Sequence, residues 1–128
     1  MPLVRIDALH ADKDRLEAIG RAVHEAMVDA IGIPADDVFQ VLTSHDGVRS
    51  MIRYDSGYLG VPRDDGIVFI SITFRSGRTT EQKVALYKRI AELAEQHAGV
   101  EPRNVLVNLV ENQSADWSAG NGVAQYLG

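Results

Sequence analysis

Apolar and polar residues alternate from Leu3 to Leu9, with Val4, Ile6 and Ala8 on one side and Leu3, Arg5 and Asp7 on the other. That is the period of a strand with one buried face. Asp12 is placed to cap the helix that follows. Leu16, Ile19, Val23, Ala26, Met27 and Ala30 then recur at three and four residues, which predicts an amphipathic helix of about 18 residues. Gly32-Ile33-Pro34 ends it. Val38 to Thr43 reads as a second strand. Residues 44 to 66 carry glycines, a proline and several aspartates, and read as turns around one short strand, Ser50 to Tyr54.

The pattern then starts again. Ile67 to Phe74 is a strongly apolar strand. Thr79 opens a second helix with Gln82 placed to close a capping box. Val84, Leu86, Tyr87, Ile90 and Leu93, with Ala91 and Ala94, form its apolar side, and Gly99 stops it. Val105 to Val110 is the last strand, and residues 112 to 128 form a polar, glycine-bearing tail. The junctions Gly32-Ile33-Pro34-Ala35-Asp36-Asp37-Val38 and Gly99-Val100-Glu101-Pro102-Arg103-Asn104-Val105 are phrased alike, a weak internal repeat. The expected architecture is α+β: two β-α-β units sharing a four-stranded sheet, with both helices on one face. A second sheet face as apolar as Ile67 to Phe74 requires cover, and association between copies is the expected answer.

Composition narrows the function without choosing one. The chain has 128 residues, expected to form one domain over 1–128, with 45% hydrophobic and 24% charged residues. A formal charge of -5 without a basic face argues against a nucleic-acid partner. There is no cysteine, which removes disulfides, thiolate catalysis and sulfur-ligated metal. No apolar run is long enough to span a membrane and no basic leader precedes one, so the cytoplasm is the expected location.

Few residues are candidates for chemistry. Pro2 becomes an N-terminal secondary amine if Met1 is removed, and an α-amine titrates near ~7.7 to 8.0. Neutral, it is a base; as a cation, it donates a proton or polarises a carbonyl. A Met-Pro start is also merely common. Arg75 and Arg78 flank Ser76-Gly77 where a strand gives way to a helix. That is either a carboxylate site with Arg75 as clamp and Arg78 as second contact, or a basic solvated turn. Asp37, just before a strand, either orients water and charge near Pro2 or shapes a turn. Trp117, the one tryptophan, either walls a pocket or anchors the tail. The histidines at 10, 24, 45 and 97 show no ligand spacing, so no metal is assigned. Ser44 beside His45 lacks a nucleophile elbow.

Taken together, Met1-Pro2-Leu3, Ala26-Met27-Val28-Asp29-Ala30 with Gly32-Ile33-Pro34, Asp37, Arg75 through Lys83, Leu109-Val110-Glu111-Asn112 and Ala115-Asp116-Trp117-Ser118 resemble the tautomerase superfamily. The resemblance is to its malonate semialdehyde decarboxylase branch and runs over nearly the whole chain. It implies two pseudo-symmetric β-α-β units and a homotrimer with sheets facing inward. It also implies a cationic Pro2 at the aldehyde oxygen of a small anionic carboxylate, with Arg75 and Arg78 on its carboxylate, Asp37 in support and Trp117 at the substrate. Carbon dioxide leaves and the resulting enol or enamine is protonated to acetaldehyde. No cofactor is implied.

One feature departs from that branch. Arg75-Ser76-Gly77-Arg78 is one residue longer than its Arg-Pro-Arg and resembles the cis-3-chloroacrylic acid dehalogenase spacing. The dehalogenase glutamate lies on a longer tail, for which Glu111 is a poor stand-in. Three other readings follow: a tautomerase of an arylpyruvate or dienol acid with neutral Pro2 as base, a hydratase or dehalogenase of unsaturated C3 acids, and a non-catalytic oligomeric interaction protein.

Overall fold

The computed structural model describes residues 1–128. Its strands are β1 (Leu3–Leu9), β2 (Gln40–His45), β3 (Val68–Arg75) and β4 (Val105–Asn112), and its helices α1 (Lys13–Ile31) and α2 (Thr80–Ala98). The sheet order is β2-β1-β3-β4. β1 runs parallel to β2 and β3 parallel to β4, while β1 and β3 meet antiparallel at the centre. Each half is a strand, a helix and a parallel strand, and the antiparallel seam relates the halves by a pseudo-twofold.

Alternation decides which face is dry. Val4, Ile6 and Ala8 of β1 and Val68, Ile70, Ile72 and Phe74 of β3 are buried against the helices. α1 contributes Ile19, Val23, Ala26 and Met27, and α2 contributes Leu86, Ile90, Leu93 and Ala94, to the same core. Val84 and Tyr87, expected on the apolar side of α2, are exposed. At about 100° per residue they point well away from the Leu86–Ile90–Leu93 stripe. Leu16 and Ala30 of α1 only partly reach the core.

The repeated junctions are structural equivalents. Gly32 and Gly99 both cap a helix at positive φ, 70° and 65°, where glycine avoids a Cβ penalty. The next residues, Ile33 and Val100, are both buried, and their N–H groups reach back to Met27 O (3.3 Å) and Ala94 O (3.2 Å). Asp37 and Asn104 then occupy matching turns, with N–H groups donating to Pro34 O (3.0 Å) and Glu101 O (2.9 Å). The Asp37 turn delays β2 to Gln40, two residues beyond the expected start at Val38. β2 and β4 each run two residues further than the pattern indicated, and α1 has 19 residues.

No strand forms over Ser50 to Tyr54. The Asp46 carboxylate accepts N–H bonds from Val48, Arg49 and Ser50, turning the chain just as it enters the segment expected to be a strand. The rest of the connection is braced by Arg63, whose Nη1 donates to the carbonyls of Asp55, Tyr58 and Val61. Arg103 and Asn104 then hold Asp64.

The sheet face opposite the helices is open in the single chain: Val41, Leu106 and Val110 lie on it, exposed. No helix is long and apolar enough to cross a membrane.

Candidate active site

The antiparallel seam brings the start of β1 to the end of β3, since Leu3 pairs with Thr73. Pro2, buried, therefore lies beside the strand that delivers Arg75, although more than 70 residues separate them in sequence. β2 runs parallel to β1, so the turn before it carries Asp37 to the same end. Asp37 Oδ2 is 3.5 Å from the terminal ammonium, here that of Met1. That nitrogen stands one residue ahead of the amine that processing would expose on Pro2.

The C-terminal tail closes the ring. Ser114–Asp116 forms a 3-10 turn in which the Gln113 N–H donates to Asp116 Oδ2 at 2.8 Å. Trp117 Nε1 donates to Asn112 Oδ1 at 2.7 Å, tying the tail to the end of β4. A last 3-10 turn, Gln125–Leu127, sets Tyr126 over the site. The Tyr126 hydroxyl accepts from the terminal ammonium, which leaves its own hydrogen free to donate. The Arg75 guanidinium stacks 3.6 Å from the centroid of the same ring, a cation–π contact that holds its plane. Arg75 Nη1 also reaches Ser114 Oγ at 3.5 Å.

Two compartments lie at this end of the sheet. One, about 240 Å³, is lined by Met1, Leu3, Phe39, Trp117, Ser118 and Ala119. It is mostly apolar. The other, about 150 Å³, is lined by Arg75, Ser76, Arg78, Gln113 and Ser114. Arg78 occupies the outer part of this basic cleft, its Nη1 donating to Arg75 O at 3.0 Å and its guanidinium 5.0 Å from the Phe74 ring. Arg75 is thus linked to the terminal amine through Tyr126, and Arg78 shapes the loop behind it. The Glu111 carboxylate pairs with Lys83, which, with the Gly77 N–H, holds its pKa below the ordinary value. That ion pair braces the Arg75–Arg78 loop and leaves no free acid there.

The arrangement links a terminal amine, a carboxylate, a phenol hydroxyl and a guanidinium at the end of the sheet where an apolar chamber also opens. It can bind a small carboxylate and place a proton donor at a neighbouring carbonyl oxygen. Larger grooves of about 290 and 310 Å³ lie along the helices. In the first, Arg89 is already matched, bonding Asp29 and Glu92.

A family model described as a tautomerase enzyme matches residues 37–120, and another so described matches residues 2–55. The chain belongs to the tautomerase superfamily. "Probable tautomerase YusQ" of Bacillus subtilis (strain 168) is 39% identical over 99% of this superfamily member and 99% of that protein. A malonate semialdehyde decarboxylase solved for its decarboxylase and hydratase activities is 38% identical over 98% of this chain and 95% of its own, with a TM-score of 0.86. The FG41 malonate semialdehyde decarboxylase inhibited by 3-bromopropiolate is 39% identical over 98% of this chain and 94% of its own, with a TM-score of 0.87. The superfamily and its decarboxylase branch, expected from Pro2 and the Trp117 motif, are those to which this chain is similar.

Pro2, Asp37, Arg75 and Trp117 converge at one end of the sheet, with Arg78 at its margin. Tyr126 escaped the sequence reading, as did Phe39 and Ser114. The available signal for Tyr126 was an aromatic residue among glycines 120, 122 and 128, a composition that gives a tail little else with which to dock.

Proposed function

We propose that this chain is a cofactor-independent decarboxylase of a small β-oxo acid, with malonate semialdehyde as the first substrate to test. The observation that carries the reading is the line Asp37 carboxylate, terminal ammonium, Tyr126 hydroxyl and Arg75 guanidinium. A β-oxo acid needs an electron sink at its carbonyl and a fixed carboxylate, and that line supplies both.

Met1 removal leaves Pro2 as the amine. Its ammonium donates to the aldehyde oxygen, with Asp37 in support. Arg75 holds the carboxylate, with Arg78 adding positive charge at the cleft, and turns the breaking C–C bond perpendicular to the carbonyl plane. The bonding pair of that C–C bond flows into the carbonyl as carbon dioxide departs. Protonation of the enol then gives acetaldehyde. Trp117, Phe39 and Leu3 exclude water from the reacting carbon.

Three chains with sheets inward would cover Val41, Leu106 and Val110, and this assembly, working in the cytoplasm, is part of the reading. A second reading is favoured by the apolar compartment, which has room for a larger group than an aldehyde hydrogen. In it a neutral Pro2 shuttles a proton between carbon and oxygen of an arylpyruvate.

The test is carbon dioxide release from malonate semialdehyde by protein with a verified N-terminal proline, beside Pro2→Ala. Turnover lost in the variant supports the decarboxylase. No release, with phenylpyruvate ketonised instead, overturns it in favour of the tautomerase.

A further inference from the structure

The site has more apolar room than an unsubstituted C3 acid can use. The compartment of about 240 Å³ is lined by Met1 and Leu3, the chain neighbours of Pro2, by Phe39, and by Trp117, Ser118 and Ala119 of the tail. In the liquid, roughly eight water molecules would share that volume. Met1 removal, which exposes the Pro2 amine, also takes the methionine side chain out of the wall and widens the space. An assembly that leaves Pro2 open to substrate leaves this compartment open too, because the residues on either side of Pro2 line it.

The polar groups around the space are already engaged. Trp117 Nε1 donates to Asn112 Oδ1 (2.7 Å), and Ala119 N–H donates to Gln125 Oε1 (2.8 Å), whose own Nε2 donates to Gly120 O (3.1 Å). Of the lining side chains only Ser118 is polar. The basic cleft is the reverse: Arg75 and Arg78 line it, and the partners of their guanidinium groups, Ser114 Oγ and Arg75 O, are neutral.

Contacts join the two in a fixed order. Arg75 stacks on Tyr126, the Tyr126 hydroxyl meets the Met1 ammonium, and Met1 lines the apolar compartment. Anion site, amine and apolar space thus follow one another as carboxylate, carbonyl and substituent do in a substituted β-oxo acid. A C3 aldehyde acid fills the first two positions and leaves the third to water, whereas an apolar group there displaces that water and adds its own burial.

We infer that the site takes a β-oxo acid whose carbonyl carries an apolar alkyl or aryl substituent, seated in the Trp117 compartment. The assignment rests on the decarboxylase reading. The Pro2 ammonium gives a proton to the ketone oxygen as the C–C bond to the carboxylate breaks. That bonding pair becomes the enol double bond, and carbon dioxide leaves. The enol gains a proton at carbon and returns its hydroxyl proton to Pro2, so the product is a methyl ketone and one proton is consumed overall.

The experiment gives malonate semialdehyde, acetoacetate, 3-oxohexanoate and benzoylacetate to full-length protein with a verified N-terminal proline, and measures carbon dioxide release above the buffer rate. Each buried methylene is worth about fourfold, so kcat/KM for 3-oxohexanoate is expected to exceed that for acetoacetate roughly 10-fold. Ala119→Phe puts a ring into the compartment and is expected to bring that ratio close to one. Ala119 is exposed in the tail, so the change leaves the core alone. Equal kcat/KM for acetoacetate and 3-oxohexanoate, or turnover of malonate semialdehyde with the substituted acids decaying only at the buffer rate, overturns the inference and leaves the decarboxylase standing. No release from any of the four acids overturns both. The comparison on the unaltered protein decides the matter even if the variant fails to fold.

Discussion

The guanidinium of Arg75 lies 3.6 Å from the centroid of the Tyr126 ring. One residue comes from the end of a central strand and the other from the last turn of the chain. Since the Tyr126 hydroxyl also meets the Met1 ammonium, one phenol fixes the cation that would hold a carboxylate and stands one residue from the amine that processing would expose on Pro2.

Tyr126→Phe separates these two duties. It keeps the stacking surface for Arg75 and removes the hydroxyl. A hydrogen bond to a charged group is worth about 1.5–3 kcal/mol, so kcat/KM toward malonate semialdehyde is expected to fall roughly 10- to 100-fold. Tyr126→Ala, which also frees Arg75, is expected to raise KM in addition. Steady-state kinetics on both variants checks this; equal KM increases in the two would remove the hydroxyl from the argument.

Asn112→Ala takes away the acceptor of Trp117 Nε1. The indole N–H then turns to water, and the wall of the apolar compartment loosens. Trp117 is the one tryptophan in the chain, so its emission reports this directly. A red shift together with a higher KM is expected, with kcat changed less.

Lys83 and Glu111 set a pH dependence. Contact with Lys83 lowers the Glu111 pKa in the folded chain from an ordinary 4.5. The stability this gives is therefore complete above the unfolded pKa and is lost as pH falls through 4.5 toward the lower folded value. Glu111→Gln is expected to lose less Tm than the unaltered protein on acidification across that window, as thermal melts at stepped pH would measure.

Thr79 accepts from the Gln82 N–H at 3.1 Å while Gln82 Oε1 accepts from the Thr79 N–H at 2.9 Å. Thr79→Ala breaks this reciprocal cap and is expected to cost about 1 kcal/mol. That corresponds to a Tm lower by roughly 2–6 °C. Because α2 follows the Arg75–Arg78 loop directly, activity should fall at temperatures below the global melt.

Much of this was legible in local pattern. The alternation in β1 and β3, the caps at Asp12 and Thr79, and the stops at Gly32 and Gly99 depend on residues within one turn or one strand of each other. The errors fall where a side chain competes with the backbone. Asp46 turns the chain by taking the N–H groups of Val48, Arg49 and Ser50 just where a strand at Ser50 to Tyr54 would start, and apolar content at Val84 and Tyr87 misstated how narrow the buried stripe of α2 is. The proposed site residues Pro2, Asp37, Arg75 and Trp117 were named by type and by resemblance, but Tyr126 carries no motif and could be found only in space.

The sequence by itself determined two β-α-β units, the caps and stops of their helices, and a proline at position 2 ahead of the first strand. Periodicity and capping are short-range, so each unit writes its own plan. Only the tertiary structure decided that β1 and β3 meet antiparallel, that the Asp37 turn and Arg75 therefore share an end with Pro2, and that the tail returns to set Tyr126 between them. Those relations join residues up to 125 positions apart. They arise from burying one apolar face of a shared sheet under both helices at once, a condition that no local window of the chain contains.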